Sequence, residues 1–149
     1  MAFSSCHRVV FNAEQQQTAK VAQGYLDAMA NFDPQAAMPY ASEETRRYTI
    51  PLFTDIIAQL DTNYVQSQIP ATIAIDSINI HASDTTATVF FTKTMPLQTK
   101  HQQLDMVKRH GKWQAHVPTQ VPAALQSHRS LANQDFHDIK VKKMERVKK

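Results

Sequence analysis

Between residues 71 and 117 apolar and polar positions alternate, which is the pattern of β-strands. Residues 71–82 and 86–95 predict two strands, and residues 101–117 predict a hairpin that turns at His110-Gly111. The part of the chain before residue 71 has the spacing of amphipathic helices instead. We therefore expect helices from the amino-terminal half to cover one face of an antiparallel sheet.

The apolar positions of the first predicted strand change parity along its length. Ile73 and Ile75 are at odd positions, whereas Ile78 and Ile80 are at even positions. Because side chains in a strand alternate with a period of two, such a shift requires one inserted residue. The sequence therefore predicts a β-bulge at Asp76-Ser77, which bends the strand and curves the sheet.

The hairpin allows a prediction of register. A two-residue turn at His110-Gly111 places Lys108 opposite Trp113, where the aliphatic part of the lysine can cover the indole. The same register places Asp105 opposite His116, predicted as a surface pair. The other face then collects the apolar residues Leu104, Met106, Trp113, Ala115 and Val117.

Residues 14–31 predict the first helix, and Gly24 lies inside it. Its apolar stripe consists of Thr18, Val21, Ala22, Tyr25, Leu26 and Met29, with the spacing of one helical face. Glycine is a poor helix former, costing up to about 1 kcal/mol relative to alanine. Gly24 therefore predicts the close approach of another element.

Two further helices are predicted before the sheet. Asp33-Pro34 begins a short one that ends at about residue 40, because Asp is a good N-cap and Pro fits the first helical position. Ser42 caps a third helix at residues 43–60, and Pro51 predicts a kink near Thr49. The predicted buried stripe of this helix is Tyr48, Leu52, Phe53, Ile56, Ile57 and Leu60. Residues 64–70 are predicted to be a connector.

The predicted fold class is α+β, with three N-terminal helices packed on a strongly curved antiparallel sheet. At 149 residues, with 42% hydrophobic and 19% charged residues, the chain has the composition of one globular domain. We place that domain at residues 13–118. Residues 1–12 are predicted to be a tether or signal remnant, and residues 119–149 to be a C-terminal extension, either helical or a mobile basic tail.

The net charge of +3 comes from the end of the chain. Residues 140–149 contain six Lys or Arg and one Glu, a charge of +5, so the remainder carries −2. A basic surface for nucleic acid is therefore not indicated. The tail either contacts anionic lipid headgroups or an acidic partner, or is a solvated terminus.

Cys6 is the single cysteine, so the chain has no internal disulfide. Ser4-Ser5-Cys6 resembles the end of a bacterial lipoprotein signal, where small residues precede a cysteine that becomes acylated. This predicts lipidation at Cys6 and a location in the cell envelope, with membrane contact through the lipid anchor alone. The alternative is a free cysteine near the start of a cytoplasmic protein.

Several short motifs together resemble one superfamily. They are Tyr25-Leu26-Asp27-Ala28, the element at residues 33–40, Ser42-Glu43-Glu44-Thr45, and the hairpin that contains Gly111-Lys112-Trp113. Their order is similar to the nuclear transport factor two-like superfamily, which includes ketosteroid isomerase and the polyketide cyclases, and most of all to its short bacterial lipoproteins. The resemblance implies a cone-shaped domain with a pocket between helices and sheet. It also implies pairing of two copies through the sheet, for which Phe90 is the interface candidate.

The pocket candidates are Tyr25, Tyr48, Asp55 and Trp113. Asp55 is offset from the apolar stripe and is expected to face solvent, and the tyrosines are expected to be amphipathic core residues. The seven histidines do not have the spacing of a metal site, and the two glycines cannot form a phosphate-binding loop. We therefore predict no catalytic residues, no metal and no cofactor.

These observations favour a non-catalytic envelope lipoprotein that binds a small apolar ligand or a protein partner. The first alternative is a small cytoplasmic pocket enzyme of the isomerase or cyclase kind, which requires a buried group with a shifted pKa. The second is a dimeric protein-interaction module. We expect no partner among nucleic acids.

Overall fold

The computed structural model describes residues 10–118. The predicted lipidation site Cys6 and the predicted extension at residues 119–149 lie outside the described residues. The helices are α1 (Ala13–Ala30), α2 (Pro34–Ala37), α3 (Ile50–Ile57) and α4 (Thr62–Gln68); the strands are β1 (Thr72–Ile80), β2 (Thr86–Thr94), β3 (Thr99–Arg109) and β4 (Lys112–Ala115). The α+β class is confirmed.

A reciprocal cap begins α1, one residue earlier than predicted. Asn12 Oδ1 accepts a hydrogen bond from Gln15 N at 2.8 Å, and Gln15 Oε1 accepts one from Asn12 N at 3.0 Å. These bonds satisfy backbone donors that a helix start leaves unpaired. The predicted stripe faces the core, since Thr18, Ala22, Tyr25, Leu26 and Met29 are buried.

The predicted third helix is divided in two. Ser42 caps it as expected, accepting from Thr45 N at 3.3 Å. A π-helical turn, Thr45–Thr49, then precedes α3. The change lies at the predicted position, because Pro51 has no N–H and its ring clashes with the carbonyl four residues earlier.

Helix α4 corrects the prediction of a connector at residues 64–70. Asp61 caps it by accepting a hydrogen bond from Asn63 N at 2.8 Å. None of its residues is buried, so the sequence has no apolar stripe from which periodicity can identify it. The described part of the chain therefore has four helices rather than three.

The four strands form an antiparallel meander in the order β1-β2-β3-β4 that is not closed. The register shifts between Ile75 and Ser77, which confirms the predicted bulge. Lys108 pairs with Trp113, which confirms the predicted hairpin register. His110 and Gly111 have φ values of 54° and 76°, as a two-residue hairpin turn with primed geometry requires.

Polar side chains from α1 cover the free edge of β1. Gln15 Nε2 donates to the carbonyl of Ile78 at 3.1 Å, and Gln23 Nε2 donates to the carbonyl of Ile73 at 3.0 Å. Asn31, at the end of α1, bonds both backbone groups of Ala71, at 3.1 and 2.9 Å. These bonds close the edge to pairing with another strand.

One face of the sheet, the inner face, packs against the helices. It carries the buried side chains Ile78, Ala87, Val89, Phe91, Leu104, Met106, Trp113 and Ala115. Residues from α1 and α3 complete this core, among them Tyr25, Leu26, Ile50, Phe53 and Ile56. The five residues predicted to share the hairpin's apolar face, from Leu104 to Val117, are all buried. The opposite, outer face carries Thr88, Phe90, Thr92, His101 and Gln103.

Candidate functional site

The structure does not bring the four pocket candidates together. Tyr25 and Trp113 are buried in the core, and burial raises the pKa of the Tyr25 hydroxyl well above its usual value. Tyr48 is 44% exposed and Asp55 is exposed. The predicted burial of Tyr48 is wrong, because the π-helical turn changes the angular phase between Tyr48 and α3.

Trp113 serves to hold the hairpin against the start of α1. Its Nε1 donates to Glu14 Oε2 at 2.8 Å, and Lys108 Nζ bonds the same oxygen at 2.6 Å. The ammonium also lies 5.8 Å from the centre of the indole ring. The hydrogen bonds from Lys108 and Trp113 lower the pKa of Glu14. This carboxylate is a structural group that remains charged at neutral pH.

His116 lies opposite Asp105 as predicted, since its backbone N donates to the Asp105 carbonyl at 2.9 Å, but its imidazole hydrogen bonds to Ser42. Its Nδ1 lies 2.9 Å from Ser42 Oγ, which also lies 2.9 Å from Thr45 Oγ1. A serine beside a histidine resembles a nucleophile with its base. Ser42, however, is buried and its hydroxyl is bonded to Thr45 as well as to His116, so it is held as a structural group. Burial lowers the pKa of His116.

The same network fixes the chain after β4. Val117 N donates to Thr45 Oγ1 at 2.8 Å, and Thr49 Oγ1 donates to the Val117 carbonyl. Beside it, Arg109 Nη1 bonds Glu44 Oε1 at 2.6 Å. That bond from Arg109 is the main reason why the pKa of Glu44 is lowered to about 2. These hydrogen bonds join the chain after β4 to the π-helical turn and the residues before it, so their role is structural.

Gln102 is a polar residue of the inner face that takes part in neither of these hydrogen-bonded groups. It lies opposite Phe91, on the face of β3 that also carries Leu104 and Met106. Both Nε2 and Oε1 of its side chain are buried, and neither has a hydrogen-bond partner among the described residues. Buried polar groups are nearly always paired, because an unpaired one costs about 1–3 kcal/mol. The unpaired amide of Gln102 is therefore a candidate group for binding a ligand.

Two lysines lie next to Gln102 on the inner face. Lys93 and Lys100 are direct partners across β2 and β3. Lys93 is only 4% exposed, which is rare for lysine. We name Lys93, Lys100 and Gln102 the polar corner. It lies at the end of the sheet nearest the β2–β3 turn, whereas Trp113 lies at the opposite end.

Sequence reasoning missed the polar corner, although a signal for it exists. The alternation of the predicted hairpin, continued toward its start, puts residues 100, 102, 104 and 106 on one face. Only Leu104 and Met106 from this series were predicted to face the core. A lysine and a glutamine are not expected in a core, because their burial is costly without partners.

The outer face carries the predicted interface candidate. Phe90 is 40% exposed and pairs with Ser77 and Gln103 across the neighbouring strands. Thr92 Oγ1 beside it donates to Asp76 Oδ2 at 2.6 Å and lies 2.9 Å from His101 Nδ1. The exposed phenylalanine is therefore surrounded by polar groups.

Within residues 10–118, no group of three His, Cys, Asp or Glu side chains is placed to hold a metal ion. No helix there combines the length and the apolar character needed to cross a bilayer. A comparison with models of known protein families finds no match to this sequence, and a comparison with curated proteins finds none either.

Proposed function

We propose that this protein is a non-catalytic binding protein whose domain holds a small ligand at the polar corner. The observation that carries the proposal is the buried, unpaired amide of Gln102. In the free protein this amide lowers stability, because its lost hydration is not replaced by protein hydrogen bonds. Because neither atom of the amide is exposed, a ligand reaches it only when neighbouring side chains move, and a ligand that then bonds the amide recovers that free energy.

The surroundings of Gln102 define the rest of the ligand. Phe91 opposite and Leu104 two residues away are buried apolar side chains. Ile75, the partner of Phe91 on β1, continues this apolar surface. We therefore propose a ligand with an apolar body and one polar group, rather than the purely apolar ligand expected from the sequence.

The alternative of an isomerase or cyclase has less support. A carboxyl group that acts as a general acid near neutral pH requires a raised pKa. Glu14 and Glu44 have lowered pKa values, which is the opposite of that requirement. Asp55, the carboxyl candidate from the sequence, is exposed.

The location of the protein is part of the proposal. Ser4-Ser5-Cys6 at the start of the sequence supports an acylated cysteine and a place in the cell envelope. Mass spectrometry of the protein from its native cells tests this point. We expect a fragment with a diacylglyceryl group on Cys6; an unmodified fragment that includes residues before Cys6 would indicate the cytoplasmic alternative.

A second candidate function is pairing of two copies through the outer face, as the superfamily resemblance implies. Its support is the 40% exposure of Phe90 in the middle of that face. We expect light scattering to show a dimer that Phe90→Ser converts to a monomer. A monomeric wild-type protein at millimolar concentration would exclude it.

The binding proposal is tested with three probes that share a ten-carbon tail: decanoate, decanamide and decyltrimethylammonium. Each is titrated calorimetrically into the full chain below its micelle concentration. We expect saturable one-to-one binding of at least one probe, and about tenfold weaker binding to Gln102→Leu, since a hydrogen bond to a ligand contributes about 1.5 kcal/mol.

Gln103→Leu is the matched control, because the adjacent glutamine lies on the outer face and is exposed. It should bind the probes as the wild type does. Equal weakening by the two substitutions, or no binding of any probe to the wild type, would contradict the proposal.

A further inference from the structure

The hydrogen bonds between the chain after β4 and the π-helical turn have a fixed direction. We name Ser42, Thr45, His116 and Val117 the joint. Val117 N donates to Thr45 Oγ1 at 2.8 Å, so this oxygen is an acceptor. Thr45 is fully buried, and among the described residues the acceptor for its own hydroxyl hydrogen is Ser42 Oγ, at 2.9 Å. Thr45 therefore donates to Ser42.

Ser42 continues this direction to His116. Ser42 Oγ accepts a hydrogen bond from Thr45 N at 3.3 Å as well as from the Thr45 hydroxyl. Its own hydrogen is then directed to His116 Nδ1, which lies 2.9 Å away. A neutral imidazole has one acceptor nitrogen and one N–H. The joint therefore requires the tautomer of His116 in which Nδ1 is unprotonated, and Val117 is held by a chain of donors that ends on this atom.

Protonation of His116 removes the acceptor at the end of this chain. An imidazolium donates from both nitrogens, so Ser42 must turn its hydrogen away from Nδ1 and toward Thr45. Thr45 Oγ1 already accepts from Val117 N, and its own hydrogen then loses its acceptor. An unpaired hydroxyl in a buried position is unfavourable. The charged form of His116 is therefore incompatible with the complete set of bonds.

The groups that face His116 act in opposite directions. Burial is the main reason why the pKa of His116 is lowered; Glu44 and Asp105 oppose that shift, whereas Arg109 adds to it. Glu44 precedes the π-helical turn and is bonded to Arg109 of β3 at 2.6 Å, and Asp105 lies opposite His116 on the same strand. In an open joint the imidazole is hydrated, and its pKa has the ordinary value of 6.5. The open form binds the proton more readily, so the joint loses stability as the pH falls below about that value.

We propose that protonation of His116 releases Val117 from the π-helical turn, so that the joint opens in mild acid while the sheet remains folded. Thr49 Oγ1 donates to the Val117 carbonyl, and this bond is lost when the backbone moves away. Strands β1, β2 and β3 are held by ladders of paired residues that do not include the joint. The joint is separate from the polar corner, so the proposal does not depend on the proposed binding function.

Hydrogen exchange followed by NMR tests the proposal on the full wild-type chain. After correction for the intrinsic rate, the protection of the Val117 amide should fall about tenfold between pH 7 and pH 5. This exchange should not increase in dilute urea, because a local opening exposes little surface. Exchange of Val89, in the middle of β2, requires unfolding and should increase with urea. In the ¹⁵N spectrum at pH 7, His116 should show an unprotonated Nδ1.

His116→Asn and His110→Asn form a matched pair of variants. The asparagine carbonyl can replace Nδ1 as an acceptor and does not titrate, so Val117 protection in His116→Asn should be independent of pH. His110 lies in the exposed hairpin turn, outside the joint. Asparagine tolerates its positive φ of 54°, and His110→Asn should retain the tenfold fall.

Three results would overturn the proposal. The first is a proton on Nδ1 of His116 at pH 7. The second is exchange of Val117 at pH 5 with the urea dependence of Val89, which would indicate unfolding of the whole domain. The third is a fall of Val117 protection that persists in His116→Asn, because another group would then be responsible. The first two measurements use wild-type protein, so they decide the question even if His116→Asn does not fold.

Discussion

The ring of Tyr40 lies against the backbone of Gly24 in the middle of α1. A Cβ atom at Gly24 would lie 2.6 Å from Cε1 of Tyr40, which is too close for two carbon atoms. The contact confirms the close approach predicted from an interior glycine. It also joins α1 to the 3₁₀ turn Met38–Tyr40, which leads to Ser42 and the joint with His116.

Gly24→Ala is expected to destabilise the protein by about 1–3 kcal/mol, because the ring must move away from the added methyl group. In the background Tyr40→Ala, the same substitution should stabilise by up to about 1 kcal/mol, since alanine is the better helix former. Urea unfolding of the four proteins of this cycle measures both values. The same sign in both backgrounds would show that the ring does not restrict this position.

Glu14→Ala is expected to destabilise the protein more than Glu43→Ala. The first substitution removes the acceptor of a buried indole N–H and the partner of Lys108, whereas the second breaks an exposed pair with Arg47. Glu14→Gln, which retains an acceptor, should have an intermediate effect. Equal unfolding midpoints for Glu14→Ala and Glu43→Ala would indicate that Glu14 does not hold the hairpin.

Stability is expected to fall in two stages as the pH is lowered. Burial holds the pKa of His116 below its ordinary value of 6.5, so below about that pH the unfolded chain binds a proton that the folded chain resists. The pKa values of Glu14 and Glu44 are below the ordinary value of 4.5, that of Glu44 about 2. Their contribution is present above pH 4.5 and is lost as the pH falls toward 2.

Urea unfolding at a series of pH values measures both stages. The substitution His116→Gln should remove the first stage and leave the second. A variant that retains the full loss of stability between pH 7 and 5 would show that another group is responsible for the first stage.

Gly111→Ala is expected to destabilise the protein by about 1–2 kcal/mol through the backbone alone. Gly111 has φ of 76°, where an L-residue is strained, yet no atom lies within 4 Å of an added Cβ. Lys112→Ala, one residue later, is the control and should change stability by less than about 0.5 kcal/mol. Thermal unfolding compares the two, and equal effects would contradict the strained turn.

Alternation of side chains was the most informative signal in the sequence. It predicted the bulge between Ile75 and Ser77 and the pairing of Lys108 with Trp113, because a register error would move whole rows of apolar side chains into solvent. Helix α1 was predictable for a similar reason, since its apolar stripe is long.

The remaining features depend on contacts that periodicity does not encode. Helix α4 has no buried residue, and the π-helical turn changed the phase that had placed Tyr48 in the core. The polar corner was missed because its residues are polar at core positions. A polar residue at a core position is the kind of conflict that is expected at functional sites. The fact that the sequence pattern did not predict this position for Gln102 therefore supports a binding role.

The unfolding free energy of Gln102→Leu in the absence of ligand tests the central claim most directly. If the amide is held unpaired for a ligand, leucine removes its cost and fills a similar volume, so the variant should be more stable than wild type by about 1–3 kcal/mol. Gln103→Leu, on the exposed outer face, should remain within about 0.5 kcal/mol of wild type. A Gln102→Leu protein less stable than wild type would show that the amide is bonded within the fold and would contradict the account.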